Sequence, residues 1–427
     1  MLSRRLLIAL FGLVSFSLTA ADWPQWRGPN RDAKVSDFKI PVTWPKELKQ
    51  EWRVEVGDGA ATPALVGNML FIHTREGGDE VVRCLDASNG KEIWQQKYAA
   101  QPSTDPAHFE GPRSSPAVAD GKIVTLGARG MLSCFDAESG KKLWSKDEFR
   151  TWPQFFVASS PIIVDGLCIA QLGGENNGSL VAYDLTTGTQ KWQWREAPTA
   201  YASPMLMTAG GMKLIIAQVG DGIAAINAAD GTKVWDTIDR GRYNAVTPIV
   251  DGDTLIYLIG SAKAVKFEKD GDKFIAKNLW TNPQNRLNFN TPILKDGMLI
   301  GLSERHELFC FNTQTGKTPW TAPLPRLTAM AGGDPGGGKG KGKGGFGKGG
   351  GGGMRADAGY GSIVDAGSVL MALIPSGQLL IIGPSGTEFK QLASYKVSDK
   401  PTYAYPIVAG NRIYIKDKDS VTLWTVE

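Results

Sequence analysis

A Ser-Pro or Thr-Pro pair followed by an apolar run recurs at Thr62-Pro63, Ser115-Pro116, Ser160-Pro161, Ser203-Pro204, Thr247-Pro248 and Thr291-Pro292. Weaker copies lie at Ser362, where "SIVDAG" echoes "PIVDGD", and at Tyr405-Pro406. With Ser362 as the proline equivalent, successive steps are 53, 45, 43, 44, 44, 70 and 44 residues. A second signature closes each unit: "LDASNGKEIW", "FDAESGKKLW", "YDLTTGTQKW", "INAADGTKVW" and "FNTQTGKTPW". Trp94, Trp144, Trp192, Trp235 and Trp320 each follow a glycine by four residues, and Trp280 ends a stretched copy. Self-similarity at this period restricts the fold to a propeller or a solenoid.

Within one unit, "SPAVA", "KIVTLGA", "MLSCFDA" and "KLWSKDE" (115–148) are separated by Asp-Gly, Arg-Gly and Ser-Gly turns. Short strands joined by glycine turns predict antiparallel hairpins, and four-stranded units repeated radially make propeller blades. "EWRVEV" (51–56), with its Trp52, is a lone last strand before the first Thr-Pro pair, whereas residues 404–427 supply three strands and lack the fourth. Joined, they complete an eighth blade and remove the sheet edges that invite aggregation. The expected architecture is all-β: one eight-bladed propeller over 50–427, preceded by a lead segment at 22–49.

The repeated tryptophans (Trp52, Trp94, Trp144, Trp192, Trp235, Trp280 and Trp320) are aromatic platforms for a ligand or wedges between blades. A fixed offset in nearly every unit favours the wedge. Cys84, Cys134 and Cys310 share one repeat position, so equivalent sites stand about 10 Å apart in neighbouring sheets, beyond disulfide reach. Cys168 lies on a different strand, and four free thiols are expected.

Residues 1–21 carry Arg4 and Arg5, an apolar run and small residues at the end, which predicts a secretory signal peptide cleaved after Ala21. "SRRLL" leaves general secretion and twin-arginine export both open. The first cysteine is Cys84, so none sits at the cleavage site to take a lipid, and no later segment offers 18 uninterrupted apolar residues. A soluble, periplasmic or secreted monomer is expected. With the signal segment and the glycine-rich stretch 332–355 set aside, 40 basic residues face 42 acidic ones, so no global field draws nucleic acid.

That stretch, "GGDPGGGKGKGKGGFGKGGGGGMR", nearly matches a phosphate-binding loop at 333–340. Gly340 stands where the magnesium-binding hydroxyl belongs, and no helix-forming sequence follows, so the nucleotide reading fails. Glycine this dense predicts disorder. The segment is slack chain or a basic arm making weak contact with anionic envelope polymers.

The A-x-D-x-x-[ST]-G-x-x-x-W hairpin with its downstream [ST]-P strand resembles the pyrroloquinoline-quinone (PQQ)-type β-propeller repeat. "DWPQWRGPNRD" (22–32) resembles the leader of exported bacterial members of that superfamily. Two branches frame what the resemblance implies. Quinoprotein dehydrogenases hold PQQ and calcium on the propeller axis. The propeller subunit of the outer-membrane β-barrel assembly machinery takes no cofactor and acts as a scaffold.

The enzyme branch lacks its marks here. The chain has no adjacent cysteine pair, no C-x-x-C-H and no metal-spaced histidines, and its one Glu-Asn-Asn cluster (175–177) reads equally as a turn. No catalytic or metal-ligating residue is assigned, and no cofactor is expected, with PQQ and calcium as the alternative. The expected function is a non-catalytic scaffold that binds envelope proteins or peptide segments. A divergent quinoprotein oxidoreductase and a carbohydrate-binding module remain as alternatives.

Propeller geometry sends the connections between blades, and the turns between second and third strands, to one face. That face carries the long segments 101–113, 149–158, 238–246 and 282–290, and all three histidines (His73, His108, His306) lie at it or at its strand ends. Arg113, Trp152, Tyr201, Arg240, Arg242, Tyr243, Arg286 and Asn288 form the expected mouth. Arginine forks and aromatic faces there suit anionic groups, peptides or sugar rings.

Overall fold

The computed structural model describes residues 22–100, 111–241, 243–271, 273–283, 287–324 and 359–427. The expected signal peptide, the glycine-rich stretch, His108, Arg242 and Arg286 lie outside the described residues. Eight antiparallel sheets of four strands each are present. Seven take their strands in sequence order, the first from Ala64–Val66, Met69–Glu76, Asp79–Asp86 and Glu92–Ala99. In the eighth, Lys49–Glu55 pairs with Ser420–Thr425, beside Arg412–Lys416 and Ile407–Ala409. Register runs from Lys49 opposite Thr425 to Glu55 opposite Ser420, interrupted by one bulge between Gln50 and Trp52. The chain ends share one blade, and the ring closes as an eight-bladed propeller.

The hydroxyl before each proline has a use that the repeat alone does not reveal. Tyr405 N donates to Thr62 Oγ1, Thr62 N to Ser115 Oγ, Ser115 N to Ser160 Oγ, and Ser160 N to Ser203 Oγ, all at 2.9–3.0 Å. Ser203 N then donates to Thr247 Oγ1 and Thr247 N to Thr291 Oγ1, at 3.0 and 3.1 Å. Six inner strands thus hand the amide before their proline to the next blade's hydroxyl. At the seventh blade Gly361 holds the hydroxyl position and breaks the series. Tyr405 bridges the break, its hydroxyl donating to Thr291 O on the sixth blade at 3.3 Å.

The tryptophans occupy the seams between sheets. Nε1 of Trp94, Trp144 and Trp192 donates at 3.0 Å to the carbonyls of Ala137, Leu185 and Ala228 in the following blade. Trp320 reaches Ser385 O at 3.1 Å and Trp52 reaches Ala87 O at 3.3 Å. Four of these rings lie against the glycine of the next blade's hairpin: a Cβ on Gly90, Gly140, Gly188 or Gly231 would come within 2.9 Å of Trp52, Trp94, Trp144 or Trp192. That glycine therefore does two things, taking a positive φ and leaving the neighbour's indole room. Trp280 and Trp235 pack edge-on to Phe311 and Phe267, with centroids 5.5 and 5.0 Å apart. Directly across the hairpin stands a small residue, Cys84, Cys134, Ala182, Ala225, Ala264 or Cys310, opposite its tryptophan. All four cysteines are buried and unpaired. Burial pushes the Cys84, Cys134 and Cys310 thiols up to about 12.

Lys416 seals the closing blade. Its Nζ donates to the carbonyls of Gly57, Gly59, Asp417 and Lys418 at 3.4, 3.0, 2.6 and 2.9 Å. It thereby ties the exit of the N-terminal strand to the last hairpin. Burial outweighs the nearby Asp417, Asp419 and Asp58 and lowers its pKa to about 8.

Replacing Trp144 by alanine empties a buried indole site and is expected to cost ~3–5 kcal/mol in urea unfolding. A loss under ~1 kcal/mol contradicts the seam assignment. Lys416 gives a pH signature. The folded protein releases its proton near pH 8, whereas the unfolded chain holds it to about 10.5. Between those values the unfolded state binds more protons, so stability rises with pH relative to Lys416→Met, by up to ~3 kcal/mol. Parallel pH profiles for the two proteins would refute this.

Candidate functional site

On the face expected to carry the mouth, six successive inter-blade connections each contribute one aromatic side chain. Phe155 contacts Tyr201 and Tyr243 at centroid distances of 6.2 Å each. Tyr243 meets Phe289 at 5.1 Å, Phe289 stacks on Tyr360 at 4.4 Å, and Tyr360 meets Tyr403 edge-on at 5.4 Å. The result is a continuous aromatic crown from the third blade to the eighth. Tyr201 Oη accepts the Phe155 amide at 3.2 Å, and Arg113 Nη1 donates to Phe155 O at 2.8 Å. Burial lowers the Arg113 pKa, while Tyr360, Tyr201 and Tyr403 lie close enough to act on it electrostatically. Burial raises the Tyr201 and Tyr360 hydroxyls. The surface presented is aromatic and hydroxyl-rich around one half-buried guanidinium, chemistry that suits peptide or sugar contact.

Of the expected mouth residues, Arg113, Tyr201 and Tyr243 come together in this crown. Trp152 does not join the crown contacts: it lies under Arg129, 4.9 Å from the ring centroid, beside Phe156. Arg240 is exposed, and Asn288 is half-buried near Gly359. Phe155, Phe289, Tyr360 and Tyr403 were not singled out from sequence. A signal for two of them exists: Phe289 and Tyr403, like Arg113 and Tyr201, stand two residues before the residue that precedes the proline, Thr291 and Tyr405 here. The Glu175–Asn177 cluster is exposed, with Asn177 Oδ1 accepting the Gly174 amide. Asp86, Asp136 and Asp184 hold hairpin turns, each accepting backbone amides from the residues that follow. A buried trio was also missed: Tyr98 Oη lies 3.0 Å from His73 Nε2 and donates to Glu80, which accepts the Ala128 amide at 2.9 Å.

The larger surprise is the leader. Trp23 pairs with Leu65 of the first blade by two backbone hydrogen bonds, at 2.7 and 2.9 Å. Val118 N of the second blade donates to Pro24 O. Arg31 donates to Pro161 O and Ser160 O of the third blade at 2.8 and 3.1 Å, and Arg27 donates to Pro292 O of the sixth at 2.8 Å. Val35 N donates to Asp365 O of the seventh, and Asp37 accepts Gly410 N of the eighth. Six blades are therefore touched by sixteen consecutive residues, 22–37, and all of them through innermost strands or the turns that end them. Trp23, Arg27 and Arg31 are buried, and the chain occupies the axis.

The leader's conformation is tight. Arg27, Arg31 and Ala33 take φ values of 60°, 57° and 58°, a region costly for residues with a Cβ. Both guanidinium groups face the Trp26 ring, at 5.5 and 5.3 Å, and Arg27 also faces Tyr405 at 5.7 Å. Neither has a carboxylate ion pair among the described residues. Burial lowers both, Arg31 to about 9, with Arg27 adding repulsion. Among the described residues no group of three or more His, Cys, Asp or Glu is placed to hold a metal, and no helix is long and apolar enough to cross a membrane.

Hairpins of this type, eight blades and a hydroxyl-linked inner ring define a PQQ-repeat β-propeller. Residues 78–322, more than half the chain, match the family model described as outer membrane protein assembly factor BamB, and the chain belongs to that family. It is 24% identical over 301 residues to BamB of Burkholderia pseudomallei, covering 67% of this chain and 71% of that protein. It is 27% identical over 206 residues to the quinohemoprotein alcohol dehydrogenase ADH-IIG of Pseudomonas putida, covering 47% of this chain and 27% of that enzyme. Among solved structures, BamB from Moraxella catarrhalis superposes with a TM-score of 0.61 at 14% identity, over 88% of this chain and 99% of that one. The quinohemoprotein alcohol dehydrogenase of Comamonas testosteroni gives 0.67 at 14% identity, over 95% and 80%. At such identities the superpositions show a shared fold.

Arg113 pins the crown through the Phe155 carbonyl, so Arg113→Met is expected to destabilise by ~1–3 kcal/mol and to speed amide exchange at Phe155. Unchanged stability and exchange would show that the bond does not organise the crown.

Proposed function

We propose that this protein is a non-catalytic binding and assembly scaffold of the bacterial cell envelope, working through the crowned face. The observation that carries this reading is an aromatic crown built from six consecutive connections around Arg113. Aromatic rings with hydroxyl tips and arginine are the side chains that dominate binding at protein interfaces. Membership of a family described by outer-membrane protein assembly agrees with envelope partners. The exposed Arg240 adds charge that guides an acidic or polar segment.

The quinoprotein alternative draws on the similarity to dehydrogenases. The axis fits a calcium-bound quinone poorly. It holds two guanidinium groups bonded to backbone carbonyls, where such a group needs carboxylate and amide oxygens for the cation. We therefore favour a protein that takes up neither PQQ nor calcium.

In-cell crosslinking with mass identification of the captured envelope proteins tests the proposal. A Tyr360→Ala/Tyr403→Ala variant and an Arg240/Arg242/Arg286 triple alanine variant are each expected to lose those partners while keeping the melting temperature. Identical capture by all three proteins removes the crowned face as the site. Retained quinone absorbance and alcohol-dependent dye reduction, after mixing with PQQ and calcium and desalting, would instead support the oxidoreductase.

A further inference from the structure

We infer that the propeller axis is a binding site for a tightly turned, arginine-bearing peptide, and that residues 22–37 fill it in cis. This goes beyond the crowned face, which lies on the other elements of the ring, the inter-blade connections.

The chemistry of the collar selects such a ligand. Proline at the start of an inner strand has no N–H, and at the third blade the residue before it, Ser160, spends its amide on Ser203 Oγ of the next blade, whereas at the sixth Thr291 faces the break at Gly361. What the strand still offers toward the axis at this level is carbonyl oxygen. Ser160, Pro161 and Pro292 present these acceptors from the third and sixth blades, and no donor of the collar answers them. A guanidinium group supplies several donors and no acceptor, so it complements a ring of carbonyls. Arg27 meets it at the sixth blade and Arg31 at the third, each guanidinium also facing the Trp26 ring.

The leader also behaves as a ligand in its other contacts. It contributes to none of the eight sheets as a strand of a blade, and it adds single bridges to inner strands at Leu65 and Asp365. Three left-handed residues with side chains show that the site imposes the shape, since the segment would not adopt it alone. Between this segment and the first propeller strand, Val42 is fully exposed and Ile40 partly so. The tether can therefore be cut without entering the fold.

The test uses the whole chain with a specific protease sequence replacing residues 40–42. After folding and cleavage, the leader is expected to co-elute with the propeller and to exchange slowly with a fluorescent synthetic peptide of residues 22–38, read by anisotropy. A peptide carrying Arg27→Met and Arg31→Met should bind roughly a hundredfold more weakly or worse, from the loss of the charge-assisted bonds. Equal binding of the two peptides, or loss of the leader without uptake of either by a propeller that keeps its circular dichroism, overturns the inference. Should the nicked propeller unfold as the leader leaves, the uncut chain bearing Arg27→Met/Arg31→Met decides. It must take up the wild-type peptide where the unaltered chain does not, and failure to do so also overturns the inference.

Discussion

At the axis, six of the eight seams are fastened by a hydroxyl one residue before a proline. The amide that a strand cannot pair within its own sheet goes sideways to the next blade, so inner strands are set at a fixed height and spacing around the ring. At the outer side the indole of one hairpin rests on the glycine of the next. An inner ring of polar links and an outer ring of aromatic wedges leave little freedom between blades. The loops above them are positioned by a rigid frame, as binding loops require.

The series has one gap, at Gly361, and the chain bridges it with other means. Tyr405 reaches past the seventh blade to Thr291, Lys295 pairs with Asp365 at 3.0 Å, and the leader bonds to both Pro292 and Asp365. The leader thus has a structural consequence whatever else it does: it spans the part of the collar that lacks a hydroxyl. It also puts cationic side chains where related enzymes, by the resemblance, hold a cofactor. The crown stands apart from the axis: its aromatic side chains come from separate connections yet touch one another, with Arg113 bonded to the Phe155 carbonyl.

Sequence made the frame legible because the physics repeats. A proline every 44 residues, a glycine four before a tryptophan and complementary chain ends each leave a periodic mark. The crown was half legible. Arg113, Tyr201 and Tyr243 stood out as arginine or tyrosine in loops, but Phe289 and Tyr403 look like ordinary loop aromatics until their offset from the residue before the proline is counted, and Phe155 and Tyr360 share no such offset. Trp152, a prominent residue in one of those loops, packs under Arg129 and makes no ring contact with the crown among the described residues. The leader was legible as a segment through its resemblance at 22–32, but its seat was not. It occurs once, so no period exposes it, and its arginines find partners that are backbone carbonyls on distant blades.

All of this requires that the chain's first strand belong to its last blade. Lys49 and Thr425 are register partners near the end of that pairing, and the native cysteines are buried and unpaired. A Lys49→Cys/Thr425→Cys variant, oxidised at low concentration, measures the closure directly. The account predicts one intramolecular crosslink that joins the N-terminal and C-terminal peptides in a monomer of unchanged melting temperature. Free thiols at both positions, or crosslinking only between molecules, would contradict it.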